Sequence, residues 1–136
     1  ELAEPASRLA INCHSCVNAP TQYAGLAALT GPQDAVRDMT RAFDERRKVI
    51  VKELNDIPGF SCVNPGGAFY AFPNISGTGL TARQFQDGLL EEVGVATVAG
   101  TSFGEYGEGF IRFSYANSVE NIQAALQRIR VWLQAR

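Results

Sequence analysis

The sequence predicts an α+β fold in two layers: a small, mostly antiparallel mixed sheet with helices packed on one face, and a long helix leading into it. Three observations carry this expectation. Apolar residues recur at helical spacing over residues 36–54 and again over 122–133. Short segments between glycine- and proline-containing turns read as strands at 60–63, 68–73, 95–98 and 110–115. The resulting order is helix, helix, strand, strand, helix, strand, strand, helix, for which one sheet covered on one face is the simplest architecture.

Taken in order, residues 1–18 carry no clear period, and residues 22–29, rich in alanine, read as a helix ending at Gly31. Pro32 then belongs in the first turn of the long helix. Its apolar face is Val36, Met39, Phe43, Ile50 and Leu54, and the charges of residues 45–48 read as a solvated surface. Pro58 and Gly59 end that helix. A strand at 60–63, a turn at 64–67 and a strand at 68–73 follow, then a Gly/Ser/Thr loop at 75–80. Thr81 with Gln84 matches a capping box, and Phe85, Leu89 and Val93 form the buried face of the next helix, closed by Gly94. After the strand at 95–98 comes a glycine-rich loop at 100–109, then the last strand. Ser118 caps the final helix, whose face is Ile122, Leu126, Ile129 and Leu133 with Trp132 alongside.

Composition bounds the function. At 136 residues and 46 % hydrophobic, the chain suits one domain with a real core. A net charge of −2, with both signs mixed along the chain, gives no sign of a nucleic-acid partner. No apolar run reaches membrane-spanning length and no signal peptide is visible. The cysteines, Cys13, Cys16 and Cys62, are odd in number, which argues against a secreted disulfide scaffold, so the expectation is a reducing, cytoplasmic location. The chain opens on Glu1, and its one methionine is Met39, so it reads as a piece of a longer protein.

Arg112 is the first candidate site residue. Strand alternation puts Ile111, Phe113 and Tyr115 on one face, suited to packing against helices, and Phe110, Arg112 and Ser114 on the other. An arginine flanked by apolar residues in mid-strand is uncommon, and its planar fork can hold a carboxylate through two parallel hydrogen bonds. A solvent-facing sheet arginine or a structural ion pair is the competing reading. Cys13 and Cys16 form a C-x-x-C pair, but no βαβ context surrounds them. A zinc site would need Cys62 and His14 as well, and His14 sits awkwardly between two of the ligands. No metal site is expected.

Three blocks then resemble one family. GTSFGEYGEGFIRFSYA at residues 100–116 is similar to the closing motif of class I/II (fold type I) pyridoxal-phosphate (PLP) aminotransferases, a glycine-rich turn leading into R-x-S-x-A, matched by Arg112, Ser114 and Ala116. PGGAFYAF at 65–72 resembles the family's P-x-G-A-F-Y strand, and NAPTQYA at 18–24 with LAAL at 26–29 resembles its loop and helix before the interdomain helix. The blocks fall in the family's order over nearly the whole chain, closest to its aspartate-aminotransferase-like branch. Ala99 stands where proline is usual and Gly66 where a polar residue is common.

The resemblance implies that residues 1–136 are a single C-terminal aminotransferase domain, with residues 1–30 packing in the parent on a large N-terminal domain. It implies a homodimeric parent that uses PLP and exchanges an amino group between an amino acid and a 2-oxo acid. Arg112 would bind the substrate α-carboxylate. Asn18 lies in a segment that in the family approaches the active site across the dimer interface; an ordinary loop before a helix is the other reading. Tyr70 either lines the cleft or is a core aromatic. The family's Schiff-base lysine has no counterpart, because the lysines here, Lys48 and Lys52, lie in the long helix. No catalytic or cofactor-binding residue is therefore assigned, and this chain alone is expected to be inactive. A stand-alone module that binds a small carboxylate without catalysis is the alternative function.

Overall fold

A computed structural model describes residues 2–136. It divides into two compact units, residues 1–37 and 38–136.

The first unit holds two helices, α1 (Ala3–His14) and α2 (Ala19–Thr30), and neither has a buried residue. The helix α1 falls where the sequence shows no period. Pro5 lies in its first turn, where a missing N–H costs nothing because the first four amides of a helix have no intrahelical partner. Glu4 and Arg8 pair at 2.6 Å along its surface. Asn18 caps α2, its Oδ1 accepting from the Thr21 amide at 2.9 Å.

The long helix α3 (Asp34–Asn55) begins two residues beyond Pro32. Gln33 occupies the cap instead: its carbonyl accepts from the Arg37 amide, and its side-chain amide donates to the carbonyls of Ala28 and Gly31. Of the expected apolar face, Ile50 and Leu54 are buried and Phe43 partly so, while Val36 and Met39 are exposed. The charges of residues 45–48 are not simply solvated. Arg47 is largely covered and bonds Asp44 and Asn64, and Arg46 lies over the Phe43 ring at 5.3 Å.

In the second unit three strands form one antiparallel sheet, β1 (Tyr70–Ala71), β2 (Val98–Ala99) and β3 (Ile111–Ser114), in the order β1-β3-β2. The C-terminal half of α3, with α4 (Ala82–Val93) and α5 (Val119–Gln134), covers one face, and the core runs through Leu54, Phe85, Leu89, Ile111, Tyr115, Leu126 and Ile129. The two-layer α+β expectation holds.

The strands are shorter than the apolar runs that predict them, for local reasons. Residues 60–63 make only a single bridge, Ser61 with Asn74. The Asn55 side chain binds both the amide and the carbonyl of Cys62, so this backbone is satisfied by a side chain rather than a ladder. Ala68 has φ 58, a left-handed conformation that delays the start of β1. Tyr115 secures it there, donating its hydroxyl to the Ala68 carbonyl at 3.0 Å and its amide to Phe69. Val95 is used up closing α4, its amide bonding the Leu89 carbonyl. The capping box of Thr81 and Gln84 and the Ser118 cap form as the sequence predicts.

Candidate functional site

The sheet face turned away from the helices carries the candidate site. Along β3 and the residue on either side of it, Ile111, Phe113 and Tyr115 are buried, whereas Phe110 and Arg112 are half-buried and Ser114 is exposed. Register places Tyr70 opposite Ser114 and Val98 opposite Arg112. The two flanking strands therefore bring their own residues onto the face that holds Arg112.

Aromatic rings dominate that face. Phe72 and Phe110 stack at 5.3 Å with planes 8° apart, and Phe103 meets Phe72 edge-on at 6.3 Å. The Arg112 Cζ lies 4.5 Å from the Tyr70 ring centroid and 4.9 Å from that of Phe103. Such contacts attract a cation without using its N–H donors. Among the described residues Arg112 forms no ion pair. Its fork can accept a planar anion.

Two of the three sequence-predicted site residues thus come together. Tyr70 is half-buried on the Arg112 face rather than in the core. Asn18 belongs to the other unit, where its observed task is to cap α2. Phe103, which the sequence does not single out, is the addition. A large aromatic directly after a glycine-initiated turn, two strand-lengths before the arginine, is the only signal that could have found it.

The loop that carries Phe103 is fixed by a close backbone crossing. A Cβ on Gly100 would stand 2.1 Å from the Gly107 carbonyl oxygen, so neither chain can approach unless residue 100 lacks one. The Gly100 amide also donates to the Phe110 carbonyl at 2.8 Å. Glu108 joins the loop to α4 by accepting from the Ala82 amide at 2.8 Å and the Gly109 amide at 3.0 Å. That carboxylate at a helix N-terminus suits the helix dipole.

The lysines do not fit a cofactor site. Lys48 and Lys52 lie on the exposed side of α3, pairing with Asp44 at 2.6 Å and Asp56 at 3.8 Å. Asp44 is held below the usual carboxylate range by its hydrogen bonds from Lys48 and Arg47. This chain's lysines are surface ion-pair partners, and no reaction step is assigned to them. Cys13 and Cys16 are exposed and free, and Cys62 is buried, where burial pushes its thiol up. Among the described residues no group of three or more His, Cys, Asp or Glu side chains could hold a metal, and no helix is long and apolar enough to cross a membrane.

The two-layer fold agrees with what comparison with known proteins finds. The sequence model for "Aminotransferase class I and II" matches residues 8–129, and the chain belongs to this family. Within it, the chain is 45 % identical over 115 residues to an aspartate aminotransferase of Pyrococcus horikoshii, covering 83 % of this chain and 29 % of that protein. It is 43 % identical over 131 residues to an aspartate aminotransferase of Geobacillus stearothermophilus, covering 90 % and 33 %. The structure of an alanine aminotransferase from Pyrococcus furiosus superposes with a TM-score of 0.86 at 38 % identity, over 95 % of this chain and 33 % of the other. The chain thus spans about a third of the length of the relatives it matches.

Proposed function

We propose that this chain is the C-terminal, substrate-anchoring part of a PLP-dependent aminotransferase that moves an amino group between an amino acid and a 2-oxo acid, with Arg112 binding the α-carboxylate. The observation that carries the reading is the state of Arg112: mounted mid-strand on the open face, braced by rings, and in no ion pair among the described residues. A carboxylate held by two parallel hydrogen bonds on a rigid strand has its Cα substituents oriented, which is catalysis by positioning. Tyr70 lines the same site beneath the guanidinium.

PLP, held by the rest of the enzyme, would supply the chemistry at Cα. This chain's residues bind and orient the substrate, and the chain alone is inactive. Residues 1–30 would pack on the large N-terminal domain, which accords with α1 and α2 having no buried residue and with Leu9, Ile11, Tyr23, Leu26 and Leu29 being exposed. The parent would be a cytoplasmic homodimer in which the segment around Asn18 reaches the partner subunit's active site.

The test is Arg112→Ala in the full-length enzyme. Loss of a charge-assisted bidentate contact worth about 1.5–3 kcal/mol predicts amino-acid binding weakened roughly 10- to 150-fold, with PLP content unchanged. Unaltered substrate kinetics would refute the anchor role.

A further inference from the structure

Arg112 presents a design question that its anchor role leaves open. An arginine side chain has many rotamers, and freezing it at the moment of binding costs free energy. A neighbouring carboxylate would hold it, but would compete with the substrate for the same N–H donors. The structure supplies aromatic faces instead, which attract the cation and leave its donors free.

The two rings reach Arg112 from the two flanks of its strand. Tyr70 belongs to β1, and Phe103 follows β2, and these strands border β3 on opposite sides. Phe103 is 56 % exposed, so core packing does not account for it. Its loop is pinned by the Gly100–Gly107 crossing, and its ring is braced edge-on by Phe72, itself stacked on Phe110.

We propose that Phe103 is a positioning residue for Arg112: together with Tyr70 it pre-orders the guanidinium so that the N–H edge, and not its face, meets the substrate α-carboxylate. The proposal rests on the reading of Arg112 as the carboxylate anchor. It requires that removing the Phe103 ring weaken recognition of a carboxylate specifically, because an apolar ligand group gains nothing from an ordered cation.

The experiment measures calorimetric binding of hydrocinnamate and of its neutral amide, hydrocinnamide, to the full-length PLP-loaded enzyme. The readout is the acid-to-amide affinity ratio in the wild type, Phe103→Leu, Phe103→Tyr and Arg112→Gln. Phe103→Leu should lower the ratio about fivefold, the scale of one partly exposed cation–π contact. Phe103→Tyr, which keeps the ring, should restore it. If Arg112→Gln abolishes the ratio while Phe103→Leu leaves it intact, the positioning role is overturned and the anchor stands. If Phe103→Leu weakens acid and amide equally, Phe103 merely packs, and the proposal fails. A ratio that survives Arg112→Gln overturns the anchor reading itself, and this proposal with it.

Discussion

On one face of the segment 110–115, which contains β3, Ile111, Phe113 and Tyr115 are buried under α3, α4 and α5; on the other, Phe110, Arg112 and Ser114 share an open surface with Tyr70, Phe72 and Phe103. Both faces are rich in aromatic rings, but their polar groups are handled in opposite ways. The Tyr115 hydroxyl, on the closed face, is spent on the Ala68 carbonyl. The Arg112 guanidinium, on the open face, is held by rings that leave its donors available. The difference separates a group that completes the fold from one kept ready for a ligand: what matters is whether its hydrogen-bonding capacity is consumed internally.

That contrast can be broken by substitution. The largest effect is expected from Ile111→Ala, which empties a fully buried position and should cost about 2–5 kcal/mol in urea unfolding. Ser114→Ala, three residues along on the exposed face, should stay within about 0.5 kcal/mol. Equal losses would erase the distinction between the faces. Next comes Gly88→Ala on the helix layer. Alanine raises helix propensity by about 1 kcal/mol. Yet its Cβ would stand 2.5 Å from the Trp132 ring, so overpacking should prevail and the variant lose about 1–3 kcal/mol. A stabilised variant would show that Trp132 yields readily. Among the variants expected to lose stability, the smallest loss is that of Tyr115→Phe, about 1 kcal/mol from the bond to Ala68, visible as a lower urea midpoint with an unchanged slope.

The same contrast sets how much could be read from the sequence. Period-two alternation assigned Arg112 and its neighbours to the right faces, and the capping signals at Thr81, Gln84 and Ser118 located two helix starts, because each is a local relation along the chain. Features that depend on distant partners were not legible. The Asn55 side chain reaches seven residues ahead to claim the Cys62 backbone and cancels a strand. Phe103 acquires its place only through the approach of Gly100 to Gly107 and the packing of Phe72. Tyr70 was ambiguous between cleft and core, since an aromatic in a short strand suits either until the strand's neighbours are known. The missed α1 has a simpler cause: residues 1–18 show no clear apolar period, and the helix has no buried residue to mark a core-facing side.

The central claim concerns what Arg112 holds. A crystal structure of the full-length enzyme with an amino-acid substrate analogue tests it most directly. The account predicts both α-carboxylate oxygens on the Arg112 guanidinium at roughly 2.7–2.9 Å, with the Tyr70 and Phe103 rings still against it. An analogue whose carboxylate is bound by a different side chain, with Arg112 paired to an acidic residue of the large domain, would contradict it.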